Sequence, residues 1–316
     1  MLSTPLVSIV LATYNRSAIL AHAIESVRGS TLDHWELIVV GDCCTDDTAA
    51  VVAGFDDPRI SFVNLPQNVG EQSGPNNEGV RRARGQYLAF LNHDDLYFPD
   101  HLQAAIGHLE ATTSDLVWSS ILTAIPVPPE DLARGRWRMR LYGVTLTDVY
   151  DPRVFVFASA WLMRRDLADR VGPWRHAHEA FVTPSQDWIF RAWKSGARLT
   201  RLPHPSVLAI PGGARKGSYV TPPGEEHAYF VQRMREDPRG LREQALASAA
   251  VEGEREARAY RLGRALLSLV GRPLASVAER LGYHPYAPLF ALRHGRRGNL
   301  VNTIRRTNGL SRLRRR

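Results

Sequence analysis

Cysteine is nearly absent: Cys43 and Cys44 are the whole complement in 316 residues. Two adjacent thiols cannot build a disulfide framework or a four-thiolate zinc site, so a reducing, cytoplasmic compartment is the expectation. Long apolar runs are missing too. The longest, such as Val154–Met163 and Ala265–Val270, fall well short of the ~20 residues that a membrane-spanning helix needs. Met1–Pro5 has no basic residue and no small-residue cleavage site follows, so no signal peptide is expected. Acid is absent from Ala291–Arg316, which carries nine arginines. The net charge is +8, and removing that segment leaves the first 290 residues at −1. The basicity therefore belongs to a terminal segment, which speaks against the fold itself being a nucleic-acid platform.

What remains is ordinary globular material, 44% hydrophobic and 23% charged, enough for one large α/β domain or two small ones. The first ~120 residues alternate strand and helix periods, the mark of βαβ units. Leu6–Ala12 is a near-continuous apolar run, as for a strand buried on both faces. Ser17 suits the cap of a helix whose Ile19, Leu20, Ala23, Ile24 and Val27 share a face. Strands are expected at Glu36–Val40, Arg59–Leu65, Gln86–Leu91 and Asp115–Ile121. Helices are expected through Thr48–Gly54, from Ser73 and Pro75 to Arg84, and from near Pro99. Prolines at 126, 128 and 129 then break the rhythm, and the stretch around Trp137 and Tyr142 carries no clear period. Val154–Arg164 reads as a strand, and Arg165–Val171 and Gln186–Lys194 as helices. From His227 to Leu267 the composition is that of a long helix.

In an open α/β sheet, ligands bind beyond the carboxyl ends of the strands. Polar clusters sit there three times: Thr13-Tyr14-Asn15-Arg16, Asp42 with Thr45, Asp46 and Asp47, and Asn92-His93-Asp94-Asp95. Paired aspartates stay charged only when a cation or donors compensate them. Mg²⁺ or Mn²⁺ does so with one or two carboxylates plus substrate phosphate oxygens. A turn-capping role is the plain alternative for an isolated Asp-Asp, and the company of two other polar strand ends favours the cation. His93 is expected to point away from it, because neighbours at a strand end alternate faces.

The runs VSIVLATYNRS, ELIVVGDCCTDDT and NVGEQSGPNNEGVRRARGQYLAFLNHDD resemble the family 2 glycosyltransferases of the GT-A fold, continuously over about the first 120 residues. Ser185-Gln186-Asp187-Trp188 is a shorter echo. The resemblance implies a Rossmann-like, mostly parallel sheet flanked by helices, here with a helical C-terminal extension. It divides the chain into a nucleotide-sugar-binding half at 1–121 and an acceptor-binding, catalytic half at 122–226. A helical extension at 227–290 and a basic tail at 291–316 follow. It also implies metal-dependent, inverting transfer of a hexose from a nucleotide-diphosphate sugar, a UDP-sugar first among them, to a glycan or lipid-linked acceptor. Thr13, Tyr14 and Arg16 would lie beside the nucleotide, and Asp42 would accept the N3–H of its base. Asp94 would sit near the ribose or metal, Asp95 would be a direct ligand of Mn²⁺ or Mg²⁺, and Asn76, Asn77 and Arg81 would border the diphosphate sugar. Asp187 is the candidate base toward the acceptor, or else a first-turn acid favoured by the dipole of its own helix. Asn92 stands where the family often has Asp, and Gly41-Asp42-Cys43-Cys44 leaves one carboxylate for the base.

Other residues carry paired readings. Trp188, with Trp161 and Trp174, suits either the wall of an acceptor pocket or the core. His204 suits a third metal ligand or a structural histidine between two prolines. Arg215 and Lys216, after Gly212-Gly213-Ala214, suit a loop closing on the diphosphate or a solvated turn. Cys43 and Cys44 read as small wall residues. The arginine tail suits a weak amphipathic anchor on an anionic inner membrane face, through Leu300, Ile304, Leu310 and Leu313, or a solvated tail. Two competing functions are a sugar-phosphate nucleotidyltransferase, against which stands the lack of a glycine-rich basic loop after the first strand, and a nucleic-acid binder using the tail.

Overall fold

A computed structural model describes residues 4–210, 217, 219, 225–259 and 273–313. The strands β1 (Val7–Thr13), β2 (Trp35–Gly41), β3 (Ile60–Asn64) and β4 (Tyr87–Asn92) fall where the apolar runs predict. They pair in parallel in the order β3-β2-β1-β4. The helices α1 (Ser17–Arg28), α2 (Thr48–Ala53) and α3 (Ser73–Arg82) supply the crossovers. β1 is buried on both faces, as its sequence requires. Val7, Ile9 and Leu11 meet Leu20, Ala23 and Ile24 of α1, while Val10 faces the layer containing Ile38, Phe90 and Trp161.

β5 (Asp95–Tyr97), α4 (His101–Ala111) and β6 (Leu116–Ile125) follow. Beyond β4 the sheet is mixed. It continues through β8 (Trp161–Arg164), antiparallel to both β4 and β6, and through β9 (Leu199–Ala209), parallel to β6 and antiparallel to β5. The aperiodic stretch after Pro126 holds a short α5 (Pro129–Ala133) and β7 (Arg138–Tyr142), paired with the distal half of β6.

Several expectations change. Only Trp161–Arg164 of the run Val154–Arg164 is a strand; the preceding residues are loop with one 3₁₀ turn at Ala158–Ala160. That run is apolar because a loop fills the core there, with Val156 fully buried. α6 (Arg165–Val171) and α7 (Pro184–Lys194) hold. The single long helix from His227 becomes α8 (Glu226–Glu236) and α9 (Pro238–Ala259), separated at Asp237, because proline is tolerated in a first turn and not inside a helix. α9 packs on β7, where Arg138 and Arg140 meet Glu252 and Glu256. Residues 260–267 of the expected helix and the Ala265–Val270 run lie outside the described residues.

The arginine segment departs most from expectation. Beyond a helix over 273–280 (α10), the chain forms α11 (Ala287–His294) and α12 (Asn299–Thr307). It docks on the domain as a folded part of it, where the sequence offered a weak amphipathic membrane anchor or a solvated tail. The Gly298 amide donates to the Ala180 carbonyl at 3.2 Å, and Arg305 is 8% exposed. Among the described residues, no helix is long and apolar enough to cross a membrane.

The parallel half depends on one close contact. A Cβ on Gly79 of α3 would come within 2.2 Å of Val10 Cγ1 on β1. Alanine at that position gains about 1 kcal/mol of helix propensity but overfills a packed interface, which typically costs ~1–3 kcal/mol. Gly79→Ala is therefore expected to lower unfolding stability, read as a reduced urea midpoint at unchanged m; an unchanged or raised midpoint would show that the interface gives way freely.

Candidate functional site

Strand order reverses at β1: the chain runs outward through β2 and β3 and returns to lay β4 on the other side. The three carboxyl ends that flank this reversal diverge into separate loops and leave a crevice between them. A cavity of about 320 Å³ occupies it. Thr13, Tyr14 and Arg16 line it from β1, Asp42 from β2, and Asn92, His93 and Asp94 from β4. The sequence-predicted residues Thr13, Tyr14, Arg16, Asp42 and Asp94 are thus brought together on one surface.

Side-chain hydrogen bonds stitch the loops around it. Asn15, in a left-handed conformation at φ 44, accepts the Thr45 amide at 2.8 Å and donates to its hydroxyl at 3.2 Å. Ser17 is the first residue of α1 and does not cap it. Asp46 does that work from the next loop, accepting the amides of Ser17 at 3.3 Å and Thr48 at 3.2 Å. Cys43 and Cys44 belong to this stitching and do not line the cavity; Cys44 Sγ accepts the Asn15 amide at 3.5 Å.

Asp42 is 4% exposed and holds the loop between β3 and α3. It accepts the amides of Val69 and Gly70, both at 2.7 Å, and the Asn68 side-chain amide at 3.1 Å. Burial pushes its pKa up, and the two backbone amides oppose that rise. Two bonds fall on Oδ2 and one on Oδ1, so Oδ1 keeps a lone pair for a further donor. Glu71, the next acid on the lining, accepts the Ser73 amide at 2.7 Å and lies 3.3 Å from His176 Nδ1. Among the described residues, that leaves Asp94 as the lining carboxylate not committed to shaping a loop.

The acidic pair divides its labour. Asp94 lines the cavity; Asp95 lies behind it, 4% exposed, and accepts the Asn92 side-chain amide at 3.0 Å and the Ser159 hydroxyl. Burial, with the Asp94 charge adding to it, pushes the Asp95 pKa up to about 8. The expectation of a direct metal ligand at Asp95 does not fit this placement, because β5 begins at Asp95 and turns its side chain into the fold. His93 also reverses its expectation: it lines the cavity, edge-on to the Tyr219 ring, with Nε2 3.4 Å from the Tyr219 hydroxyl. Burial holds its pKa below the ordinary value.

Other candidates fall elsewhere. Asn77 exchanges two hydrogen bonds with the Trp174 backbone, at 2.8 and 2.9 Å, and so fastens α3 to the α6–α7 connection. Arg81 pairs with Glu78 on the exposed side of α3, and Asn76 is buried in that helix; neither reaches the cavity. Trp188 is 1% exposed, stacks with Trp174 and lies near Trp161, so these rings are core, not an acceptor wall. His204 stands on β9, 3.6 Å from Asp100 and away from the cavity. Asp187 is one helical turn beyond Thr183 and Pro184, which line the cavity from the start of α7. Its carboxylate accepts Arg191 Nε at 2.9 Å and lies 3.6 Å from Arg175. Arg215 and Lys216 lie outside the described residues.

Sequence reasoning missed Tyr219 and the C-terminal face of Val301, Ile304, Arg305 and Asn308, all on the lining. The signal was present as the i, i+3, i+4, i+7 spacing of those four residues, but the surrounding arginines hid it.

Residues 8–172 match the family model described as Glycosyl transferase family 2. The chain belongs to glycosyltransferase family 2. It is 29% identical over 235 residues to the uncharacterised glycosyltransferase YwdF of Bacillus subtilis, covering 70% of this chain and 84% of YwdF. It is 37% identical over 112 residues to the succinoglycan biosynthesis protein ExoO of Rhizobium meliloti, covering 35% of this chain and only 32% of ExoO. The family 2 fold is also that of S. aureus TarS 1-349 solved in complex with UDP-GlcNAc. The TM-score is 0.55 at 19% identity, over 72% of this chain and 64% of that one. The mixed α/β sheet with flanking helices agrees with the GT-A expectation. Family membership sets aside the nucleotidyltransferase and nucleic-acid readings.

The burial of Asp95 gives a signed pH dependence. Its folded pKa of about 8 lies above the ordinary aspartate value of 3.8, so the folded state holds the proton more tightly than the unfolded chain. Its contribution to stability is full below the unfolded value and falls as pH rises toward 8. Asp95→Asn, which removes that titration, is expected to lose less melting temperature than the parent between about pH 5 and pH 8 in metal-free buffer; parallel losses would place the charge elsewhere.

Proposed function

We propose that this chain transfers a hexose from a nucleotide-diphosphate sugar, a UDP-sugar, to a hydroxyl of a glycan or lipid-linked cell-envelope intermediate, with inversion at the anomeric carbon. The observation that carries the reading is the cavity at the β1 reversal, where the polar ends of three parallel strands meet and Asp94 is the uncommitted acid. Tyr14 and Tyr219, with ring centroids 6.2 Å apart, and Arg16, 4.9 Å from the Tyr219 ring, offer aromatic and cationic surface to a base and a diphosphate. The remaining lone pair of Asp42 Oδ1 suits the N3–H of a pyrimidine. ExoO, as a polysaccharide biosynthesis protein, supports the acceptor class.

A divalent cation fits the donor set. Among the described residues no three His, Cys, Asp or Glu side chains converge into a cage. Mg²⁺ and Mn²⁺ need none when one or two carboxylates and the substrate phosphates complete the shell. Asp94 is the residue that would hold it, and when bound it would neutralise charge growing on the leaving diphosphate. The acceptor oxygen bonds to the anomeric carbon from the side opposite the diphosphate as the carbon–phosphate-oxygen bond breaks. Asp187 takes the acceptor proton. Arg191 holds that carboxylate through Nε and donates to the Val171 and Pro173 carbonyls at 2.7 Å each, which fixes its direction.

Two variants separate these roles. Asp94→Ala is expected to abolish the Mn²⁺-dependent part of UDP affinity in calorimetry. Asp187→Asn is expected to leave that affinity intact while lowering turnover by ~10²–10⁴-fold. Metal-independent UDP binding by the parent protein would remove the cation from the mechanism, and full turnover by Asp187→Asn would remove the base.

Association with an anionic membrane face finds support in α11 and the turn after it. Leu289 and Leu292 are 51% and 81% exposed, beside exposed Arg293, Arg296 and Arg297. Of the apolar residues of α12, Val301 is buried and Ile304, 43% exposed, lines the cavity. Flotation with vesicles containing anionic lipid should recover the parent protein, and Leu289→Ser with Leu292→Ser should fail to float; equal recovery with neutral vesicles would rule out the charge contribution.

A further inference from the structure

The wall of the cavity opposite the strand ends comes from the far C-terminal segment. Val301, Ile304, Arg305 and Asn308 present one face of α12 and its cap to the cavity, and Leu310 continues it. Each contact that seats this face is specific. Arg305 donates through Nη1 to the Gly70 carbonyl and through Nε to the Ser311 carbonyl at 2.7 Å. Gly70 is left-handed at φ 85, and a Cβ there would meet Leu313 Cδ2 at 2.8 Å and Arg305 Nη1 at 3.0 Å, so the loop is shaped to receive this segment. The Asn308 carbonyl accepts the Tyr219 amide at 3.1 Å, tying the same turn to the aromatic side of the cavity.

Two features of this wall call for a ligand. Asn308 and Thr13 both line the cavity, and Asn308 Oδ1 and Thr13 Oγ1 are buried with no hydrogen-bond partner among the described residues. Buried polar atoms are ordinarily paired, and each unpaired one costs free energy that a ligand group can recover. Arg305 adds a buried guanidinium close enough to feel the Asp42, Glu71, Tyr14 and Tyr219 side chains. Its Gly70 and Ser311 bonds use two of its five N–H donors, which leaves donors for an anion.

We propose that α12 and its cap are the nucleotide-recognition wall of this glycosyltransferase, Arg305 supplying a cation to the diphosphate and Asn308 an acceptor to a base or ribose donor. The inference rests on the reading of the cavity as the donor site and adds to it the part of the chain that completes it. Among the arginines of this segment, Arg305 then belongs to substrate binding.

The test is UDP titration of the full chain by calorimetry in Mn²⁺, with melting curves for every variant. Arg305→Gln is expected to weaken UDP roughly 10- to 100-fold, the usual effect of losing a hydrogen-bonded charge. Asn308→Ala should weaken it by about 5- to 10-fold, as for one neutral bond. Arg306→Gln, on the exposed side of the same helix, should bind as the parent does. Should Arg305→Gln unfold, Asn308→Ala and Arg305→Lys carry the measurement. If the parent binds UDP while Asn308→Ala and a folded Arg305 variant bind it equally well, or more tightly, the wall is a cover and the proposal falls. If the parent binds none of UDP, GDP or dTDP, the donor-site reading itself falls and this inference with it.

Discussion

The reversal of strand order at β1 is the constraint on which the remainder depends. A strand with parallel partners on both sides, one reached by going outward and the other by coming back, cannot keep its neighbouring loops parallel at the carboxyl edge. The crevice that results is a property of topology, and side chains only furnish it. Asp42 furnishes the most: by gathering Asn68, Val69 and Gly70 it fixes the loop against which both α3 and α12 are set. One buried carboxylate thereby orders the floor and a side of the cavity together.

Polar residues in such a crevice serve two ends, and the neighbouring aspartates show the division. Asp95 spends its oxygens on Asn92 and Ser159 and stabilises the turn out of β4, while Asp94 faces the cavity. Strict alternation would give His93 and Asp95 one face and Asp94 the other, yet Asn92, His93 and Asp94 all line the cavity and Asp95 is buried behind it. β4 ends at Asn92 and the next two residues form a turn, so the period-2 rule that turned His93 away does not reach them.

Most of the parallel half was legible in the sequence, because runs such as Leu6–Ala12 and Gln86–Leu91 are too apolar to be anything but buried strands. The polar strand ends were legible for the same reason, as the places where those runs stop. The antiparallel half was harder. β5 is three residues long and starts with an aspartate, β7 alternates arginine with apolar residues that find their acids on α9 over a hundred positions later, and Val154–Phe157 is apolar without being a strand. In each, a long-range partner decides what local preference leaves open. The C-terminal wall failed for a different reason. Its arginines read as a solvated charge run, whereas one of them is buried by partners supplied from residue 70.

That contact joins positions 235 residues apart, and closing so long a loop is entropically costly. A flap held at such separation by a few bonds is among the first parts of a fold to lift away when the molecule breathes. Slow amide exchange at Asn299–Thr307 would then report cavity occupancy from outside, and cleavage after its arginines by a trypsin-like protease would act as a clock for how long the flap stays down.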